Sequence, residues 1–254
     1  MLQDYHVHAL AHGEFSYTYD WLKAFVIKAQ EQGIRELGFS EHDEYLNQID
    51  YDIFRKLKDK FPDMNIKLGL EVDYIPGRED YIREISSKYD FDYLIGSVHY
   101  INGWGFDHPD FRYLFNEKDI DEVYHSYFNL VNGAIESGLF DLVGHLDLIK
   151  IWGHRPLRYN LLYYLEPLFI NIKKQNMAVE INSAGLRKPV KEIYPAPKIV
   201  DLIISQGIPV TLGSDAHHPS QLGEGLHLVR NILKRAGCTC LATFAKRQLD
   251  FLPL

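Results

Sequence analysis

Short apolar runs alternate with longer amphipathic stretches along this chain. Seven short runs stand out, at 3–7, 36–40, 66–70, 93–98, 139–143, 178–181 and 209–212. Runs of that length, bounded by polar or turn residues, read as buried strands. Stretches of helical spacing lie between them at 19–32, 78–89, 121–137, 161–175 and 196–206, with one more that stops before Pro62 and a last one at 220–235. Gly33 sits where the first helix needs a residue of positive φ to end on. Every strand but the first is preceded by a helix, which is the rhythm of βα units around a parallel sheet. Seven such units read as a barrel more readily than as an open doubly wound sheet, although both share the alternation. No Pro/Gly/Ser-rich linker, repeat or low-complexity tract divides the chain. Its 254 residues match the roughly 250 of one α/β barrel, so a single domain over 1–254 is expected.

The strand ends are where the chemistry falls. The first strand ends in His6-Val7-His8, the second in Ser40-Glu41-His42-Asp43 and the fourth in Ser97-Val98-His99. Glu71-Val72-Asp73 follows the third, Gly144-His145-Leu146-Asp147 the fifth, and Gly213-Ser214-Asp215-Ala216-His217-His218 the seventh, while Glu180 and Asn182 close the sixth. In a parallel barrel these ends share one face, where barrel enzymes hold their active sites. Residues i and i+2 of a strand point the same way, so His6 and His8 can grip one cation. Asp215 and His217 repeat that spacing. Imidazoles and carboxylates without thiolates suit Zn, Mn or Fe. So many such groups in one mouth would cost several kcal/mol without counter-ions. Bound cations remove that cost, and a carboxylate such as Glu71 can bridge two of them. A lone His-x-His or Gly-His-Leu-Asp would be weak; their conjunction at six strand ends is not. His108, His125 and His227 lie away from the strand ends and read as surface or packing residues.

Composition narrows the classes. The net charge of −8, from 27 Lys and Arg against 35 Asp and Glu, argues against a nucleic-acid partner. Cys238 and Cys240 are the only cysteines, so there is no disulfide framework, and the pair reads as packing. No apolar run reaches the ~20 residues that cross a bilayer. Met1 leads straight into Leu2-Gln3-Asp4 with no charged and apolar leader. A cytoplasmic protein with no membrane partner is the expectation.

The ordered set His-x-His at 6–8, Ser-Glu-His at 40–42, Glu71, Ser-Val-His at 97–99, Gly-His-Leu-Asp at 144–147 and Gly-Ser-Asp-Ala-His at 213–217 resembles the PHP (polymerase and histidinol phosphatase) family over essentially the whole chain. Glu180-Ile-Asn-Ser-Ala-Gly-Leu-Arg187, followed by Glu192-Ile-Tyr-Pro195, resembles its histidinol-phosphatase branch. The resemblance implies a distorted seven-stranded (β/α)7 TIM-like barrel with two to three divalent metal ions. One metal would take His6, His8, Glu71 and Asp215; a second would share Glu71 and take His99 and His145. A third would take His42, His217 and a His from the loop after the first strand. That loop departs from the family's pattern: it is shorter, lacks the usual Cys, and its only His is His12, so His12, Glu14 or water would complete the third site.

Metal physics then implies the reaction. Water held between two divalent cations has its pKa lowered toward about 7 and becomes a nucleophile, while the same cations neutralise the phosphoryl oxygens. Asp147, His218 or a metal-bound water would supply the proton to the leaving alkoxide. Arg187 is the first candidate for the substrate's phosphate, with Arg155 and Lys150 after it. The resemblance implies hydrolysis of L-histidinol phosphate, a small phosphate monoester. The alternative is another PHP-type hydrolase, a phosphodiesterase or a broad-specificity phosphatase. An ammonium on the substrate calls for a carboxylate, and Glu14, Asp43, Asp73 and Asp107 are available. The aromatic segment 103–116 reads as a lid over the mouth or as packing.

Overall fold

A computed structural model of the protein describes residues 2–254. In chain order its elements are β1 (Leu2–Asp4), α1 (Tyr19–Glu31), β2 (Ile34–Phe39), α2 (Tyr51–Lys60), β3 (Asn65–Asp73), α3 (Glu79–Lys88) and β4 (Tyr93–Ser97). A small hairpin follows, β5 (Tyr100–Ile101) and β6 (Trp104–Gly105), then α4 (Ile120–Ser137), β7 (Leu142–Val143), α5 (Leu161–Gln175), β8 (Ala178–Asn182), α6 (Pro197–Ser205), β9 (Val210–Gly213) and α7 (Leu226–Arg235). The chain closes on a second hairpin, β10 (Cys240–Ala245) and β11 (Gln248–Pro253).

The seven expected strands form one parallel sheet in the order β1-β2-β3-β4-β7-β8-β9. It curls into a barrel because the chain after β1 also meets β9. Tyr5 N–H donates to Leu212 O at 2.9 Å and His8 N–H to Ala216 O at 2.9 Å. Strands covered on both faces need near-continuous apolar runs, and β3 is buried from Ile66 to Val72. The helices are capped as their sequences dictate. The Thr18 hydroxyl accepts from Trp21 N–H ahead of α1, and Asp119 accepts from Asp121 and Glu122 N–H ahead of α4. Among the described residues no helix is long and apolar enough to cross a membrane.

Inside the barrel the floor is aromatic. Tyr5 and Tyr93 stack with ring centroids 4.7 Å apart, and Tyr93 OH donates to Tyr5 O at 2.6 Å. Gly38 and Gly69 flank Tyr93, where any Cβ would run into its ring. The β10–β11 hairpin, absent from the sequence reading, packs onto this floor. Ala242 and Phe244 join the Tyr5–Tyr93 cluster, and Gln3 Nε2 donates to Ala242 O at 2.8 Å. The expected last helix at 220–235 starts only at Leu226, because Gly223 (φ +72°) and Gly225 (φ +80°) take left-handed conformations that end helical geometry. Of the two cysteines, Cys238 packs against the core while Cys240 is exposed.

Candidate metal centre

His6 and His8 follow β1 in extended chain, with Val7 between them bridged to Ala216. Both imidazoles are therefore turned inward and fully buried. His42 follows β2 and is bridged by backbone to Glu71 on β3. His99 follows β4, His145 follows β7, and Asp215 and His217 follow β9. His145 (φ +35°) and Asp215 (φ +54°) hold left-handed backbone, which is uncommon for residues with a Cβ and concentrates at functional sites.

Their side chains converge on Glu71. Its Oε2 lies 2.9 Å from His42 Nδ1, 3.2 Å from His6 Nε2 and 3.4 Å from His8 Nε2. Its Oε1 lies 2.9 Å from His145 Nε2 and 3.6 Å from His99 Nε2. Asp215 Oδ1 is 3.4 Å from His8 Nε2. Among the described residues four overlapping sets have the geometry to hold a metal ion: His6, His8 and Glu71; Glu71, His99 and His145; His6, His145 and Asp215; His8, His42 and His217. The first two share Glu71, while Asp215, expected with His6 and His8, falls in the third set with His6 and His145. In the last, His8 stands where His12 was expected. The His12 ring still lies beside that set, 4.7 Å from the His217 ring and 5.3 Å from that of His42.

The donor atoms fit metal binding by a test internal to the structure. His6 Nε2, both ring nitrogens of His8, His42 Nε2, His217 Nε2 and Glu71 Oε2 are buried and make no hydrogen bond. Buried polar atoms are rarely left so, and several aimed at one spot mark a missing partner. The electrostatics agree. Burial pushes the His6 and His99 imidazoles down, but neighbouring carboxylates outweigh it and raise both well above the ordinary value: Glu180 and Glu71 for His6, Asp73 and Glu71 for His99. Burial would raise Glu71 and Asp215, yet the surrounding imidazoles hold both well below the usual carboxylate range. Burial and the His42 and His217 rings lower His8, while burial first brings His217 to about 4, so both are neutral at pH 7.

An outer layer of carboxylates orients these candidate ligands. Glu180 Oε1 accepts from His6 Nδ1 at 2.7 Å, and Asp73 Oδ1 is 2.7 Å from His99 Nδ1. Each partner leaves the other ring nitrogen facing the centre. Glu41 accepts from Ala9 and Leu10 N–H and so holds the loop carrying His12; burial lifts its carboxyl to about 7. Asp4, lifted by burial to about 6, accepts from Ser214 and Gly223 N–H behind Asp215. The sequence placed Glu180 and Asp73 at strand ends but gave neither a ligand-orienting role, and it passed over Asp4.

Five other sequence candidates fall outside the mouth. Asp147 lies in a separate cavity of about 400 Å³, ion-paired to Lys150 at 2.9 Å and accepting from Ala196 N–H. Lys150 also pairs with Glu192 at 2.8 Å, and Arg155 pairs with the same carboxylate at 3.1 Å. These three residues neutralise one another and Glu192 instead of facing a phosphate. His218 is exposed and caps the turn Pro219–Gln221, accepting from Ser220 N–H. Arg187 is turned onto backbone, donating to Ser214 O at 2.7 Å and Asp215 O at 3.2 Å. It steadies the loop of a candidate ligand.

The mouth itself is a cavity of about 560 Å³. Segment 103–116 supplies both packing and part of the rim of the mouth. Trp104, Phe106 and Phe115 are buried packing, while Asp107, His108 and Phe111 border the opening. His108, read from sequence as a surface or packing residue, edges the site. Glu14, Asp73 and Asp107 also line it; Asp43 does not and is ion-paired to Arg78.

Comparison with known proteins agrees with this architecture. The profile of the PHP domain family matches residues 4–184, most of the chain. The chain belongs to the PHP domain family. Asp215 and His217 lie beyond the matched span, and barrel closure at β1/β9 brings them to it. Among relatives of this PHP chain, a protein of Deinococcus radiodurans named "Probable histidinol-phosphatase" is 46% identical over 160 residues, covering 63% of this chain and 60% of the relative. The chain thus spans less than two thirds of that relative. The "Histidinol-phosphatase" of Lactococcus lactis is 26% identical over 266 residues, covering 97% of this chain and 96% of the relative. The crystal structure of histidinol phosphate phosphatase from Lactococcus lactis, complexed with Zn, L-histidinol and phosphate, superposes with a TM-score of 0.80 at 22% identity, over 97% of this chain and 98% of that one. At that identity the match speaks for the fold.

Proposed function

We propose that this chain is a metal-dependent phosphomonoesterase that hydrolyses L-histidinol phosphate to L-histidinol and phosphate. The observation that carries the reading is the convergence of unpartnered, buried imidazole and carboxylate atoms around Glu71 at the mouth of a PHP barrel. The names of its relatives, and the Zn, L-histidinol and phosphate in the Lactococcus structure, support the substrate.

Two to three divalent cations, of Zn, Mn or Fe, complete the site. His6, His8, Glu71 and Asp215 would hold one and Glu71, His99 and His145 a second. His42 and His217 would hold a third with His12 or His8. Bound there, the cations supply Lewis acidity toward phosphoryl oxygens and an activated water. The chain's own residues do the rest. Glu180 and Asp73 fix the ring orientation of His6 and His99, and Glu71 is common to the two main sets. The acidic wall of the mouth suits a substrate whose far end is a cation.

Phosphate release from L-histidinol phosphate, by protein loaded with Mn or Zn beside a chelated control, tests the reading. Chelator-sensitive turnover with little action on bis(p-nitrophenyl) phosphate is expected. Preference for the diester would overturn it.

A further inference from the structure

An anionic substrate meets an adverse field at this mouth. Glu14, Glu44, Glu71, Asp73, Asp107 and Asp215 all line it. Among the described residues only one Lys or Arg does, Lys188. The cations that sequence offered for the phosphoryl group are engaged elsewhere: Lys150 and Arg155 with Glu192, Arg187 with the carbonyls of Ser214 and Asp215.

Lys188 is placed differently. It is exposed, and among the described residues its ammonium has no ion-pair or hydrogen-bond partner. Its base is firm. Ala184–Leu186 form a 3-10 turn after β8, Lys188 N–H donates to Gly185 O at 3.2 Å, and the neighbouring Arg187 is tied to the β9 loop. Successive residues thus divide the work, Arg187 fastening the loop that carries Asp215 and Lys188 reaching into the mouth. A lysine is a compact point charge with three rotatable donors, suited to a phosphoryl group that changes shape during transfer.

We propose that Lys188 contacts the substrate's phosphoryl oxygens and is the side-chain cation that selects a phosphate ester at this site. The proposal rests on the phosphomonoesterase reading. The test uses the metal-loaded protein with inorganic phosphate as the probe, titrated calorimetrically, beside steady-state kinetics on L-histidinol phosphate. Lys188→Met should weaken phosphate binding and raise KM about tenfold, the scale of one charge-assisted hydrogen bond, with metal content unchanged. Lys188→Arg should restore most of both. Lys198→Met, the same charge change in the separate cavity, should match wild type. Unchanged phosphate affinity in Lys188→Met, or an equal loss in Lys198→Met, would overturn the proposal, the latter by showing a general field effect. Wild-type protein that cleaves no monoester would overturn the phosphomonoesterase reading instead. Phosphate binding, which needs no turnover, would then still decide whether Lys188 holds a phosphoryl group.

Discussion

Glu180 ties His6 to His145: its Oε1 accepts from His6 Nδ1 at 2.7 Å, and its Oε2 accepts from the His145 backbone N–H at 3.1 Å. One carboxylate on β8 therefore sets the ring orientation of one candidate ligand and the backbone position of another. Gly213 makes room for it, since a Cβ there would strike Glu180 and His6. Glu180→Gln is close in shape, but an amide accepts on one side only, so one of the two contacts is lost. Metal affinity should fall about 10- to 100-fold with the fold retained. Metal titration followed by circular dichroism on the same sample checks this. Full affinity in the variant would remove Glu180 from the centre.

Metal uptake should release protons at neutral pH. Burial lowers His6 and His99, but the carboxylates around them prevail and raise both, so the metal-free protein holds them as imidazolium at pH 7. A metal binds only neutral imidazole and must displace those protons. The sign follows. Affinity rises with pH until the raised values are passed, by about tenfold per pH unit for each proton displaced. His8 and His217, already neutral, contribute no protons. Calorimetry with Zn or Mn in two buffers of different ionisation heat reads the count directly. An identical heat in both buffers would contradict this charge state.

How far the sequence could be read depends on where strand periodicity held. His6 and His8 obeyed the i, i+2 rule because the chain after β1 stays extended and bridged to Ala216. Nearness to a strand end did not carry over from His145 to Asp147. β7 is only Leu142–Val143, His145 turns to φ +35°, and a 3-10 turn follows at Leu148–Lys150, so Asp147 faces away from the mouth. The signature around Arg187 named a cation correctly placed in sequence, yet only the fold shows that Arg187 grips backbone while Lys188 lines the mouth. The β10–β11 hairpin gave no signal. Its turn residues Lys246 (φ +50°) and Arg247 (φ +66°) adopt the conformation that Asn-Gly usually announces.

Asp107 should set preference for an amine-bearing ester. Of the four carboxylates the sequence offered, Asp43 is paired with Arg78 and Asp73 is engaged by His99, leaving Glu14 and Asp107. Asp107 is half-buried on the side of the mouth where its charge reaches His99. Asp107→Asn should raise KM for L-histidinol phosphate about tenfold, the scale of a hydrogen bond to a charged group, and leave p-nitrophenyl phosphate within about threefold. Equal effects on both substrates would assign Asp107 to the general field of the mouth.

Stability and chemistry should separate at the two ends of the barrel. Below the site, Tyr5 OH donates to Glu36 Oε2 at 2.6 Å and lies 2.8 Å from Thr243 Oγ1, which itself donates to Glu36 Oε2 at 2.9 Å. This buried triangle fastens the β10–β11 hairpin to the barrel floor. Thr243→Val keeps the shape and removes one donor from a buried carboxylate, a change that costs about 1.5–3 kcal/mol. Urea denaturation should show that loss as a lower midpoint at an unchanged slope. Metal content and KM should stay at wild-type values, because Thr243 belongs to the hairpin and Glu36 lies on β2 well before the His42 end. A variant that also lost metal would mean that the floor holds the candidate ligands in place, and the polar triangle would then belong to the active site's support as well as to the fold.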